Sequence, residues 1–266
     1  MAKISEVIDV IRGFAPERVQ ESWDNSGLCV GDPKAEVTGV LVGFDCTPEL
    51  VDEAVECGAN LIVTHHPLIF SPVKRISPDD AVGLALIKAI RGGVAIYSAH
   101  TSADKVSGGV SWAMARRMGL KDVEFLDVDH SVSSEGKEYG LGIVGNLPEP
   151  LPAREAVELV KSAFGTPVVK TSKVWPGMTV GRIAACGGSG SSLIRKAREV
   201  GAQLYVCGDI SYHNFFTPED LIIMDVGHYE SEIDIVDILF SLIRKNFHTF
   251  AVRITRLDYT NPIYYF

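Results

Sequence analysis

The chain has 266 residues, with 25 basic and 34 acidic side chains, and its formal net charge is −9 at pH 7. This acidic balance argues against a nucleic-acid-binding surface, which needs clustered Lys and Arg. The 46% content of hydrophobic residues argues against a disordered chain. No stretch approaches the roughly 18 unbroken apolar residues of a membrane span. The first residues lead into an amphipathic pattern without the apolar run of a signal peptide, so we expect none. The five cysteines include no Cys-x-x-Cys, so we expect buried free thiols in a cytoplasmic protein.

Short runs rich in Val and Ile alternate with helical patterns in the first half of the chain. This alternation predicts βα units and a largely parallel sheet. Thr47 and Pro48 are typical of a helix start, and Gly58 is typical of a helix end. The predicted elements in order are strand 37–45, a helix between Thr47 and Gly58, strand 60–64, helix 80–91, strand 94–98 and helix 109–118.

The second half of the chain repeats this alternation after a polar, Ser-rich connection at 128–138. Residues 58–63 also match residues 201–206 position by position. Two interpretations are open: the chain contains a duplication, or both segments meet the common need for Gly at a helix end before a buried strand. The predicted elements in order are strand 140–145, helix 153–164, strand 168–171, strand 182–186, helix 191–200, strand 203–207, strand 221–226, helix 229–245 and strand 250–257.

Histidines follow three of the predicted strands, at the edge where parallel sheets bind ligands. His65 and His66 follow strand 60–64, His100 follows strand 94–98, and His228 follows strand 221–226. Two neighbouring residues of a regular strand point to opposite sides, so His65 and His66 share a site only where their strand ends. Such a pair suits two neighbouring metal ions better than one.

Carboxylates accompany these histidines. Glu232 lies four residues after His228, on the same face of a predicted helix. Asp104 and Glu232 can supply the anionic oxygens of a two-ion site. Imidazole and carboxylate without thiolate suit two divalent ions of zinc, iron, manganese, nickel or cobalt. A hydrogen-bonded structural pair at His65 and His66, and a surface pair at His228 and Glu232, are the alternatives, but three such features at equivalent places favour metal.

Several motifs occur together in a specific order, and their combination resembles a known family. They are Trp23-Asp24-Asn25-Ser26-Gly27-Leu28, Thr64-His65-His66-Pro67, Ala99-His100-Thr101 with Asp104, Gly208-Asp209 with Tyr212-His213, and Asp225-Val226-Gly227-His228 with Ser231-Glu232. The chain resembles the Nif-three-like dinuclear-metal proteins, often labelled GTP cyclohydrolase type-two homologues, from about Ile4 to Ile263. Its length matches the short form without an inserted domain.

The resemblance implies a ligand set and an assembly. It implies that two metal ions are bound by His65, His66, Asp104, His228 and Glu232. It also implies a toroidal homohexamer whose metal sites face an internal cavity. We therefore expect two intertwined, similar α/β lobes with largely parallel or mixed sheets and a metal site in the cleft at the carboxyl ends of the strands. The expected division is residues 1–127 plus 223–266 for the metal-binding lobe and 128–222 for the second lobe.

Three further residues are candidates for catalysis. His100 can orient a ligand or shuttle a proton, or it can be a structural histidine bonded to the backbone. Tyr212 and His213 follow a strand of the second half, where they act as catalytic acid or substrate contact, or simply as loop structure.

Two polar turns have structural and functional interpretations. In the turn from Trp23 to Asn25, Asp24 and Asn25 fix the backbone while Trp23 packs below, or the turn lines the cavity. The glycine-rich run 187–192 is expected to be a tight turn between a strand and a helix, with a phosphate contact as the alternative. His130 and His248 have no chemical context, and we expect them at the surface.

These expectations give three hypotheses for function. The leading one is a two-metal hydrolase of a small substrate, and the family label suggests a purine nucleotide such as GTP. The second is a non-enzymatic hexameric scaffold that holds metal or binds a partner. The third is a two-metal phosphoesterase or amidase.

Overall fold

The computed structural model describes residues 2–134, 136–257 and 261–264. Its contacts divide the chain into two units: the first comprises Met1–Ala103 and Ile235–Pro262, and the second comprises Asp104–Asp234 and Ile263–Phe266. The helices in chain order are α1 (Ile4–Phe14), α2 (Pro48–Glu56), α3 (Ala81–Gly92), α4 (Thr101–Asp104), α5 (Val110–Arg117), α6 (Ala153–Phe164), α7 (Ile194–Glu199), α8 (His228–Glu232) and α9 (Asp234–Asn246). The strands are β1 (Gly27–Val30), β2 (Gly39–Val42), β3 (Leu61–Thr64), β4 (Ala95–Ser98), β5 (Lys121–Val128), β6 (Gly140–Pro152), β7 (Lys170–Thr171), β8 (Thr179–Ser189), β9 (Leu204–Gly208), β10 (Ile222–Asp225) and β11 (Ala251–Ile254).

The first unit contains a five-stranded mixed sheet in the order β1-β4-β3-β2-β11. Its neighbours are parallel except for β1, which is antiparallel to β4. Every residue of β2, β3 and β4 is buried, as expected for parallel strands that are covered on both faces. Leu41, Ile62 and Ile96 of these strands share one core cluster with the apolar residues of α2 and α3.

Local signals fix the helices that connect these strands. The Thr47 hydroxyl accepts a hydrogen bond from the Leu50 amide at the start of α2, and Asp80 caps α3 by accepting from Gly83. Gly93 ends α3 with a φ of +64°, a conformation that glycine adopts without a steric penalty. Each of these connections returns the chain to the same edge of the sheet, so that the carboxyl ends of β2, β3 and β4 lie side by side.

The second unit contains a six-stranded mixed sheet in the order β5-β6-β8-β9-β10-β7. The neighbours β8, β9 and β10 are parallel, and the other pairs are antiparallel. Successive residues alternate between two core clusters on the two faces of the sheet. Ile143 and Leu204 belong to one cluster, whereas Val144 and Tyr205 belong to the other.

The two units share a local topology. In each, three parallel strands follow one another in chain order, namely β2, β3 and β4 in the first and β8, β9 and β10 in the second. A helix, α2 or α7, connects the first two strands of each set. Gly58 and Gly201 follow these helices with φ of +72° and +76°. The match between residues 58–63 and 201–206 therefore extends to the fold, which favours a duplication.

The structure differs from the expected elements at particular places. Residues 121–128 form β5 and pair with β6, and β10 pairs with β9. The boundaries between the units accordingly lie at 103/104 and 234/235, whereas the sequence suggested 127/128 and 222/223. The helix predicted at 229–245 is two helices, α8 and α9. Among the described residues, none of the helices combines the length and apolar character that crossing a bilayer requires.

Candidate metal centre

His65 and His66 lie where β3 leaves the sheet. The amide groups of both residues donate to the same acceptor, the carbonyl of Phe44, at 3.2 Å. This shared bond replaces the regular ladder and lets both rings turn toward one side, with ring centroids 4.9 Å apart. His65 is fully buried, whereas 21% of the His66 side chain is exposed. The expectation that the two histidines adjoin only at a strand end agrees with this geometry.

The Nδ1 atoms of both rings are held by oxygen acceptors. His65 Nδ1 lies 2.9 Å from the carbonyl oxygen of Ala99, and His66 Nδ1 lies 2.8 Å from Oδ1 of Asp45. A carbonyl or an ionised carboxylate accepts but does not donate, so Nδ1 carries the hydrogen in both rings. In the neutral ring the lone pair is then on Nε2, which is the arrangement that proteins use for metal-ligating histidines.

His100 joins these two residues in a three-imidazole cluster. It follows β4, and its ring centroid lies 5.3 Å from those of His65 and of His66. One ring nitrogen from each of the three histidines lies within 4.8 Å of the other two. His100 Nδ1 lies 2.7 Å from Oδ1 of Asp24. The ring is therefore bonded to a carboxylate rather than to the backbone, which favours the orienting or proton-carrying role over the structural alternative.

Asp24 organises the turn beside His100. Its carboxylate accepts hydrogen bonds from the Thr101 amide and hydroxyl and from the Ser26 hydroxyl, in addition to His100. Burial alone raises the pKa of Asp24, but these hydrogen bonds outweigh it and hold the pKa well below its usual range. Asp24 thus stays ionised and fixes both the turn and the His100 ring. The expectation that Trp23 packs below the turn is wrong, because 56% of this residue is exposed.

The second unit carries the other pair of expected ligands. His228 and Glu232 occupy the first and last positions of α8, and His228 Nε2 lies 3.0 Å from Oε2 of Glu232. His228 Nδ1 lies 2.7 Å from Oδ2 of Asp209, so this histidine also has its Nδ1 hydrogen on an oxygen acceptor. Only 4% of the Glu232 side chain is exposed, compared with 31% for His228.

Two glycines make room for Glu232. A Cβ added to Gly188, which has a φ of +59°, would lie 2.3 Å from Oε1 of Glu232, and one added to Gly187 would lie 3.2 Å from Cγ of Glu232. The Gly188 amide donates to the hydroxyl of Ser231 on α8. The tight turn expected at 187–192 is therefore wrong in its first part, because Gly187 and Gly188 belong to β8. These glycines face a carboxylate, so the phosphate alternative is not supported.

Asp104 lies at the end of α4 and close to Cys186. Burial raises the pKa of the Cys186 thiol well above its usual value, and the charges of Asp104 and Glu232 add to this effect. Both carboxylates therefore lie close enough to Cys186 for their charges to affect its thiol.

Cys186 and Cys207 are buried, whereas Cys29, Cys46 and Cys57 are half-buried, and all five are free. The expected buried thiols are confirmed for two of the five.

Tyr212 and His213 lie on a 3-10 turn at Tyr212–Phe215, a few residues after β9. Their rings contact each other with centroids 5.3 Å apart, and 73% of Tyr212 is exposed. Their catalytic role stays a prediction. His130 and His248 are exposed, as expected.

Sequence reasoning missed the carboxylates that orient the histidines. Asp45 follows β2 and bonds His66, which follows the neighbouring parallel strand β3. Asp209 follows β9 and bonds His228, which follows the neighbouring parallel strand β10. The signal was present in the sequence, because side chains that follow adjacent parallel strands meet at the same edge of the sheet.

Residues 2–262 match the sequence profile of Duf34/NIF3 (NGG1p interacting factor 3). The chain belongs to the Duf34/NIF3 family. A Clostridium perfringens relative named GTP cyclohydrolase 1 type 2 homolog is 35% identical over 86% of this chain and 87% of its own length. A Lactococcus lactis relative of the same name is 36% identical over 85% of this chain and 86% of its own.

Solved structures of the Duf34/NIF3 family agree with the fold. The Staphylococcus aureus protein SA1388 matches with a TM-score of 0.88 at 27% identity, over 100% of this chain and 99% of its own. The resemblance inferred from the strand-end motifs is therefore confirmed, as is the mixed α/β fold class.

Proposed function

We propose that this Duf34/NIF3 protein binds two divalent metal ions and uses them to hydrolyse a small molecule. The observation that carries the proposal is shared by four histidines that follow strands. Each has its Nδ1 hydrogen on an oxygen acceptor, which leaves Nε2 of His65, His66 and His228 for a metal and Nε2 of His100 for a proton. The four pairs are His65 with Ala99, His66 with Asp45, His100 with Asp24, and His228 with Asp209.

The residues proposed as metal ligands are the five that the family resemblance implies. They are His65, His66, Asp104, His228 and Glu232. Their chemistry fits divalent zinc, iron, manganese, nickel or cobalt, because all donors are imidazole nitrogens or carboxylate oxygens. The 3.0 Å between His228 Nε2 and Glu232 Oε2 also fits two ligands of one ion, since such ions hold each ligand at about 2.0–2.2 Å.

Catalysis would divide between the ions and the protein. When bound, such ions supply Lewis acidity and make water a better nucleophile at neutral pH. Asp24 keeps a hydrogen on Nδ1 of His100, so His100 can accept a proton at Nε2 and return it to a leaving group. Tyr212 and His213 are proposed as a further acid or substrate contact.

The substrate class rests on the relatives. Several are named GTP cyclohydrolase 1 type 2 homolog, so we propose a purine-nucleotide-like small molecule. A homohexamer and a cytoplasmic location are proposed with it, the first from the family resemblance and the second from the cysteine content.

Glu232→Gln tests the proposal. This change keeps the size of the side chain but removes the charge that holds a cation, so we expect loss of at least one metal per chain and of most turnover. Metal content is measured by elemental analysis, and turnover by product detection with GTP and with model phosphate esters.

Glu158→Gln serves as the control, because Glu158 is exposed on α6 and is not one of the proposed metal ligands. Unchanged metal content in the Glu232 variant would reject the ligand assignment. Full metal content in the wild type without turnover of any substrate would favour the metal-holding scaffold.

A further inference from the structure

Two aromatic side chains of the first unit are exposed next to the three-imidazole cluster. Trp23 is 56% exposed and Phe70 is 54% exposed. Their ring centroids lie 5.8 Å apart with an angle of 51° between the planes. The rings are tilted rather than stacked, so neither ring lies flat against the other. Large apolar side chains that are exposed side by side mark binding surfaces more often than ordinary surface.

Hydrogen bonds hold the two segments that carry Trp23 and Phe70 in place. The Asn25 side chain donates to the carbonyl of Ile69 at 2.7 Å, and this bond ties the turn that carries Trp23 to the segment that carries Phe70. The carboxylate of Asp24, between Trp23 and Asn25, is fixed by hydrogen bonds from Asn25, Ser26, His100 and Thr101. A surface whose side chains are ordered before binding loses less entropy when a ligand arrives.

The same two rings contact His100. Trp23 and Phe70 approach the His100 ring edge-on, with centroids at 6.0 and 6.1 Å and interplanar angles of 71° and 73°. The two exposed rings therefore contact a histidine that has a ring nitrogen within 4.8 Å of ring nitrogens of His65 and His66. Apolar rings beside a few polar groups are typical of the lining of small-molecule sites.

We propose that Trp23 and Phe70 form a stacking site for a planar aromatic heterocycle, which positions the rest of the substrate beside His100. The site deepens the proposed hydrolase function and rests on it, because His100 is the group beside which the ring would be placed. Aromatic side chains accept any planar ring, since stacking uses the π-face and not a hydrogen-bond pattern. The geometry thus specifies a flat ring system rather than one particular base.

Binding of ring-containing and ring-free ligands tests the site. The probes are guanosine 5′-monophosphate, nicotinamide mononucleotide and pterin, with ribose 5-phosphate as the ring-free comparison. In metal-loaded protein, we expect saturation-transfer NMR to show contact to the ring protons of at least one heterocycle. Trp23→Ala and Phe70→Ala should each weaken that binding roughly ten-fold, which is within the range of one base–aromatic stack. Trp23→Phe should restore most of it.

Tyr264→Ala is the matched control, because Tyr264 is an aromatic residue with 66% exposure and no part in the site. Metal content and native mass are measured on every variant, so that loss of the metal site or of the assembly is seen separately from loss of stacking. Unchanged heterocycle affinity in Trp23→Ala, or equal binding of ribose 5-phosphate, would overturn the proposal. So would failure of all three heterocycles to bind at millimolar concentration in metal-loaded protein. A smaller assembly in the Trp23 and Phe70 variants would also overturn it, by showing that the pair contacts a second copy of the chain.

Discussion

At the scale of single residues, the candidate centre depends on acceptors that hold histidine rings in one orientation. Asp45 fixes His66, Asp209 fixes His228, and Asp24 fixes His100. The histidines could be chosen from the sequence because they follow predicted strands. Their acceptors were missed, because each lies 19 to 76 residues away along the chain and pairing them requires the strand order as well as the strands.

Asp45→Ala is expected to weaken zinc binding by about 10- to 100-fold, the usual effect of removing the residue that orients a ligating histidine. The His66 ring would keep its place in the chain but lose the acceptor for its Nδ1 hydrogen. Zinc affinity is measured by competition with a chromogenic chelator. Asp45→Asn keeps an oxygen acceptor and should bind zinc more tightly than the Ala variant. Equal affinity in both variants and the wild type would show that Asp45 does not support a ligand.

Gly188→Ala is expected to disturb Glu232 directly, because the new Cβ would lie 2.3 Å from its Oε1. The side chain must move, so zinc binding should fall. The positive φ at this position also makes the change destabilising by about 1 kcal/mol.

Gly201→Ala separates the two effects. Gly201 has a φ of +76°, but no atom lies within 4 Å of an added Cβ. The Gly201→Ala protein should therefore lose a similar free energy of unfolding, measured in urea, and keep the zinc affinity of the wild type. If both variants bind zinc like the wild type, Glu232 is not a ligand.

At the scale of the elements, the sequence predicted the buried parallel strands best. The predicted strand 60–64 contains the apolar run Leu61-Ile62-Val63, and it appears as β3 within one residue. The strands β1 and β5 were missed. The burial of β5 is irregular and includes four exposed residues, because it lies at an edge of its sheet, where the clear periodicity of a covered strand is absent. The break between α8 and α9 falls at Ile233, and neither proline nor glycine marks it.

An ion pair joins the segment after α4 to the end of β5 and predicts a pH dependence of stability. Lys105 is almost fully buried and lies 2.5 Å from Asp129. Hydrogen bonds from Lys105 and Ser131 lower the pKa of Asp129 to about 2, from an ordinary value of about 3.9. A carboxyl group with a lowered pKa in the folded state stabilises the fold above its unfolded pKa. This stabilisation is lost as the pH falls from about 4 to about 2.

Asp129→Asn is expected to lower the free energy of unfolding at pH 7 by about 2 kcal/mol. The difference from the wild type should shrink between about pH 4 and pH 2, as followed by urea unfolding. Asp220→Asn is the control, because Asp220 and Arg198 are both more than half exposed and such pairs contribute little. A deficit in Asp129→Asn that is independent of pH would contradict the ion-pair interpretation.

At the scale of the whole molecule, the chain consists of two α/β units, and each unit has its own set of three neighbouring parallel strands. In each unit a histidine follows the last of the three strands, His100 after β4 and His228 after β10. Residues 58–63 and 201–206 match in sequence and in their place in the fold, which favours an ancestral duplication. The sequence predicted two similar lobes but set their boundaries by composition. In the structure, β5 and β10 both belong to the sheet of the second unit, so the boundaries between the units lie outside these two strands.

The central claim is that the five expected ligands hold two metal ions in each chain. Elemental analysis of the purified protein, with native mass spectrometry on the same sample, tests this claim most directly. The account predicts close to two ions of zinc, iron, manganese, nickel or cobalt per chain, in an assembly of six chains. Protein that purifies without metal, and takes up none when these ions are added, would contradict it and leave the strand-end histidines with a structural role.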